Sequence, residues 1–350
     1  RRLMARLSTD NPVIIPSKIS AFITGYPGTK GRNPFQADMQ IVTELVLEDV
    51  ISSPELEPLF LKRCYSDSGA LSDYLLVSRE IITARYAALF DESSPGPVTT
   101  PATSKGGEVS GDILAESLSR RPILLIGDVG VGKTSFLRHL MHVDAVEQFK
   151  EAIALHINLG IQGALTSDLK LFVVDEMERK LLQDYNLDIN DDRVMRSTYR
   201  SDLQRFEKQP IARLKVIDPV QYAKEEIKFL DEKTRDKSEH LRRSLESVSK
   251  TRKKQVIIFV DNSDQRDFET QQQAFLIAQE IASTWTALVF LTLRPETFHQ
   301  SMMAGGAMSG YHPKAFTILP PRIDRVIEKR LEFALDITSG RLSIPKLKNY

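Results

Sequence analysis

The sequence predicts an α/β fold from about residue 112 onward: a parallel sheet with helices on its flanks. Three observations predict it. Short apolar runs alternate with stretches of helical spacing. A glycine-rich loop, "GDVGVGKTS", lies between one such run and a helix. A third run, Val256–Val260, ends directly on Asp261. Repeated strand–helix units imply parallel strands covered by helices, and open sheets of this kind bind ligands at the carboxyl ends of their strands.

Taken in order, residues 1–90 read as a mainly helical region with an irregular start. "NPVIIPSKISAFITGYPGTKGRNP" carries Pro12, Pro16, Pro27 and Pro34 and reads as loop or short strand. Helical spacing follows in Ile41, Leu45, Leu47 and Val50, and again in Leu75, Ile81, Ile82, Tyr86 and Leu89. Residues 91–111, rich in Ser, Thr, Pro and Gly, read as a linker that a protease should cut first. Residues 112–335 form the sheet domain. Its strands are expected at Ile123–Ile126, Ile153–Leu159, Val256–Val260, Ala287–Leu293 and Ala315–Leu319, and helices at Lys133–Met141 and Asp168–Asp184. Within it, the polar stretch 185–254 reads as a helical insertion. There Asp218 caps a helix that Pro219 begins, leading into a long helix or a helical hairpin. Residues 336–350 read as the start of a following region; the Arg-Arg-Leu-Met opening and the cut-off tail suggest a fragment of a longer chain.

Composition narrows the function class. A chain of 350 residues favours two domains. Lys+Arg and Asp+Glu are equal at 47 each, so net charge gives no argument for nucleic acid. Cys64 is the single cysteine, which excludes an internal disulfide and fits a cytoplasmic setting. No apolar run reaches the ~20 residues of a membrane helix, and the six histidines show no metal spacing with Cys64.

The loop Gly127, Asp128, Val129, Gly130, Val131, Gly132, Lys133, Thr134 and Ser135 fits G-x-x-x-x-G-K-[ST] at every fixed position. Glycines let successive N–H groups turn toward an anion, and the helix that follows adds its positive end. Lys133 is expected on the β and γ phosphates and Thr134 on Mg²⁺. "GYPGTKG" at 25–31 lacks the spacing and reads as a turn. Two stretches compete to supply the metal-side carboxylate. "LFVVDE", 171–176, follows the cap residues Thr166, Ser167 and Asp168, and its apolar residues fit one helical face, so Asp175 and Glu176 fall on a solvated flank. "VIIFVDNSDQ" is richer in β-branched residues, which assigns the metal to Asp261. Asn262 follows where such strands often carry Glu. An amide cannot take a proton from water, so Asp264 is the nearest candidate base and slow turnover is expected. Arg294, at the end of "ALVFLTLRPETF", is aimed at the γ-phosphate if its strand lies beside the loop strand.

Four features in order, the loop, "IIFVDNSDQ", "LTLRPETF" and "FTILPPRIDRVIEKRL", resemble the STAND-class signal-transducing NTPases, including NACHT-type modules, which are relatives of the AAA+ ATPases. The resemblance covers roughly 110–335. It implies a P-loop NTPase fold, ATP and Mg²⁺ as ligands, Thr292, Arg294 and Pro295 as the γ-phosphate sensor strand, and an oligomerising switch, with antiphage defence among the roles of bacterial members. No counterpart of the family's adenine-touching proline is evident; Pro345 stands too near the end. One of Arg322, Arg325, Lys329 and Arg330 is a candidate arginine finger in the same or a neighbouring subunit. The basic run 233–254 is interleaved with acids and reads as a solvated helix face, with a nucleic-acid or protein partner as the alternative. An AAA+ type motor or DNA-associated ATPase, and a non-hydrolysing ATP-dependent scaffold, are the competing functions.

Overall fold

A computed structural model describes residues 15–17, 30–32, 57–66, 69–90, 120–161, 168–303, 305–311, 313–339 and 341. The chain divides into two compact units, Ala70–Pro320 and Arg1–Gly69 with Pro321–Tyr350.

The larger unit is an α/β domain on a five-stranded, all-parallel sheet. Its strands are β3 (Ile123–Ile126), β4 (Ala152–Asn158), β5 (Gln255–Asp261), β6 (Ala287–Leu293) and β7 (Lys314–Thr317), in the order β4-β5-β6-β3-β7. Every residue of β5 and β6 is buried, which is why both read as unbroken apolar runs rather than alternating ones. Phe259 and Phe290 stack across the two strands at 5.2 Å, and Phe149 covers Phe259 at 5.9 Å. Order and register bring the ends of β5, β6 and β3 together, with Ile126 opposite Leu293 and Asn158 opposite Asp261.

Caps set the helices. In α4 (Leu169–Tyr185) the Asp168 carboxylate accepts the Leu171 N–H at 2.9 Å, and Leu169, Val173, Met177 and Leu181 face the core. "LFVVDE" therefore lies on a helix. Asp175 is exposed and pairs with Lys237 at 3.0 Å, as expected of a solvated flank, whereas Glu176 is half-buried and pairs with Arg179. The insertion between α4 and β5 contains helices joined by short turns and no strand among the described residues. It holds α5 (Asp192–Thr198), α6 (Arg200–Phe206), α7 (Pro219–Thr234) and α8 (Lys237–Arg252), with short helical turns between α6 and α7. Asp218 accepts from Gln221 N–H, so α7 begins as Asp-Pro predicts. Residues 237–252 are solvated on one side only. Leu241, Leu245 and Val248 are buried, and the His240 ring stacks on Tyr199 at 5.7 Å. Interleaved pairs such as Glu239 with Arg242 and Arg243 neutralise the charged side.

The division into units differs from the expected one. Residues 91–111, the expected linker, lie outside the described residues. Helix α2 (Gly69–Phe90) packs against the sheet: Tyr74 stacks on Phe316 at 4.6 Å, and Gln255 Nε2 donates to the Ile82 carbonyl at 3.2 Å. Cutting within 91–111 is thus expected to leave α2 attached. The two pieces should co-elute in native gel filtration, and free release of the N-terminal piece would contradict this packing.

The smaller unit pairs β1 (Ile15–Ser17) antiparallel with β2 (Lys30–Arg32). It also packs α1 (Glu57–Cys64) on α11 (Ile323–Thr338), where Phe60 meets Phe333 edge-on at 6.1 Å. Helix α11 was expected in the sheet domain and groups here instead. Of the finger candidates, Lys329 donates to the Tyr65 carbonyl at 2.7 Å, Arg330 lies over Phe60, Arg322 pairs with Asp324, and Arg325 is exposed. No helix among the described residues is long and apolar enough to cross a membrane.

Candidate nucleotide site

The loop 127–135 is moulded by its glycines. At Gly127 an added Cβ would stand 2.8 Å from both the Ile318 carbonyl and the Val131 side chain, so only glycine fits between β3 and the chain leaving β7. Gly127 N–H donates to the Leu293 carbonyl at 3.1 Å, tying the loop to the end of β6. Gly130 and Gly132 have φ of 85° and 99°, the left-handed region that side chains resist. Asp128, Val129 and Gly130 form the exposed rim. Val131 and Gly132 are half-buried, and α3 (Lys133–His139) starts behind them, continuing through a wider turn, Leu140–Asp144. Ser135 is half-buried on the first turn of α3.

Lys133 is folded back under the loop. Its Nζ donates to the Gly127 and Asp128 carbonyls at 2.6 and 2.7 Å and pairs with Asp264 Oδ2 at 3.0 Å. Both side chains of the pair are at most 5% exposed. Asp264 comes from the turn Ser263–Gln265 after β5, and its other oxygen accepts from the Thr292 hydroxyl at 3.4 Å. The carboxylate expected to serve as a base is thus engaged by the lysine expected on the phosphates.

Asp261 is fully buried at the tip of β5. Its carboxylate accepts from Thr134, from the Asn262 N–H at 2.8 Å and from His156 Nε2 at 3.2 Å. Burial alone would raise its pKa. His156, the Thr134 hydroxyl and the Asn262 N–H outweigh that and hold the carboxyl below its usual value. The two residues assigned to a metal, Thr134 and Asp261, are therefore in direct contact. Among the described residues no cluster of three or more His, Cys, Asp or Glu is arranged to hold a metal.

Asn262 has a conformational reason to be Asn. Its φ of 59° is left-handed, where Asn is favoured and Glu is strained. Its amide donates to Asn158 Oδ1 at 2.8 Å and accepts from Gln265 at 3.1 Å. Gly160 closes this amide cluster; a Cβ there would lie 2.9 Å from the Asn158 and Gln265 side-chain oxygens. Arg266 fastens the same corner by donating to the Leu159 and Ile161 carbonyls, both at 2.6 Å.

Arg294 does stand at the end of a strand that neighbours the loop strand, since β6 pairs with β3. Its Nε donates to the Asp264 carbonyl, while its own N–H donates to Gln271 of α9 (Phe268–Thr284) at 3.2 Å. Pro295 then opens α10 (Pro295–Met303). Two contact groups thus stand at the strand ends: Lys133, Asp264 and Arg294 in one, Thr134 and Asp261 in the other, with Lys133 and Thr134 adjacent in the chain. The residues that sequence reading missed are His156, Asn158 and Gln271. Polar residues among the last three positions of an apolar strand are the signal that could have found the first two; Gln271 gave none. No protein-family model, curated protein or solved structure matches this chain.

Proposed function

We propose that the chain binds Mg-ATP at Gly127–Ser135 and works as a slowly hydrolysing, oligomerising molecular switch of the P-loop NTPase type, akin to the STAND and NACHT modules it resembles, in signalling or antiviral defence within the cytoplasm. The observation that carries this reading is the double pairing of Lys133 with Asp264 and Thr134 with Asp261 beneath a glycine loop. A carboxylate already stands on the lysine, so the site's chemistry suits an anion, and the loop glycines leave room that side chains would fill. Thr134 and Asp261 would hold Mg²⁺, which takes few protein ligands when phosphates and waters complete its shell; bound there, it would neutralise phosphate oxygens.

The chain's own residues explain slow turnover. Asn262 can orient a water but cannot take its proton. Asp264 has to leave Lys133 before it can act as a base. That engagement also supports the scaffold reading, in which ATP binds without turnover.

Mg-ATP and Mg-ADP titrations by calorimetry, followed by single-turnover hydrolysis, test the proposal. Binding of both with turnover far slower than dissociation is expected, and no binding of either would refute it. With Arg294→Ala, the ATP affinity is expected to fall about tenfold while ADP affinity changes less than about threefold, as for loss of one charged phosphate contact. Equal losses would instead assign Arg294 to supporting the Asp264 turn.

A further inference from the structure

We infer that Asp264 is a resident counter-anion that sets the site's affinity: a nucleotide has to displace its carboxylate from Lys133 before phosphates can use that lysine. The inference rests on the nucleotide reading above. Lys133 has one ammonium, and the loop carbonyls at 2.6 and 2.7 Å and the Asp264 carboxylate at 3.0 Å already engage it. The carboxylate is the only anion among these three partners, so it is the direct competitor of a phosphate oxygen. Neither member of the pair has bulk water to compensate its loss, because both side chains are almost fully buried.

Displacement has a structural consequence. Asp264 stands in a three-residue turn held against the C-terminal end of β6: the Ser263 hydroxyl donates to the Thr292 carbonyl, and Arg294 donates to Asp264's own carbonyl. When phosphate takes Lys133, the Asp264 carboxylate is left with the Thr292 hydroxyl, while the Arg294 guanidinium stays bound to the same residue's carbonyl. The turn after β5 and the arginine after β6 therefore respond together to the charge on Lys133. Asp264 is in this sense a specificity-determining residue. It rejects weak or singly charged anions and admits a ligand that brings several negative charges to one lysine, which is what a polyphosphate does.

Asp264→Asn removes the charge while keeping the shape and the backbone carbonyl. Calorimetric titration of wild type, Asp264→Asn and Lys133→Ala with Mg-ADP and Mg-ATP tests the inference, together with melting of each protein without nucleotide. Asp264→Asn is expected to bind both nucleotides at least about tenfold tighter than wild type, on the order of one competing buried charge removed. It should also melt lower without nucleotide and gain more from saturating ATP. Unchanged or weaker binding by Asp264→Asn, alongside binding lost in Lys133→Ala, would overturn the counter-anion role and leave the nucleotide reading standing. No binding by wild type or by Asp264→Asn would sink the nucleotide reading itself. Should Asp264→Asn not fold, Asp264→Ser makes the same charge change in a smaller side chain and is read by the same outcomes.

Discussion

Lys133→Ala is expected to cost the protein both its ligand and part of its fold. If Lys133 serves the phosphates as proposed, nucleotide affinity should fall by about a hundredfold or more, since the variant lacks that charged donor. Without nucleotide the variant should also lose about 3 kcal/mol, because Asp264 is left as a buried, unpaired carboxylate. A second change separates the two effects. In Lys133→Ala with Asp264→Asn both charges are gone, so most of the stability should return while binding stays lost. Chemical denaturation of the four proteins of this cycle gives the coupling. Additive losses would mean that the pair does not matter to the fold.

Asp261→Ala should have the next largest effect. Its carboxylate serves Thr134, His156 and the Asn262 turn, so removal leaves several donors unpaired and should destabilise by about 2 kcal/mol. If Thr134 and Asp261 hold Mg²⁺, the gain in ATP affinity on adding Mg²⁺ should shrink about tenfold or more in this variant. An undiminished Mg²⁺ effect would place the metal elsewhere. The direction of the pKa shift adds a pH test of wild type. A carboxyl held below its usual value stabilises fully above that value, and its contribution fades as the pH falls through the lower folded value. Asp261→Asn should flatten that part of the acid-unfolding curve.

Much of the larger unit could be read from local signals. Strand–helix alternation located every strand of the sheet, to within two residues at either end, because strands buried on both faces have no polar partners to interrupt them. The caps Asp168 and Asp218 were legible because a side chain reaches only three residues along its own chain. Contacts that depend on distant register were not. Nothing in the spacing of Lys133 and Asp264 says that they meet; the β5-β6-β3 order does. The attachment of α2 was missed for the same reason, since Tyr74 and Phe316 come from opposite ends of the domain. The sequence shows that Asn262 cannot act as a base, and the structure adds that the left-handed turn favours Asn there on its own. A Glu introduced at 262 would thus test backbone strain as much as chemistry.

The strand order also has a consequence for how the chain is born. β3 is flanked by β6 and β7, and the Gly127 amide rests on Leu293, 166 residues later in the sequence. On a ribosome adding roughly 5–20 residues per second, β3 waits on the order of 10–30 s for its first neighbour. Pairings this distant close slowly even in a finished chain. Throughout that interval β3 has neither of its hydrogen-bonded neighbours, while the helices of 185–254 emerge and can form from local contacts. The candidate site is therefore assembled late, from parts made early and late in synthesis.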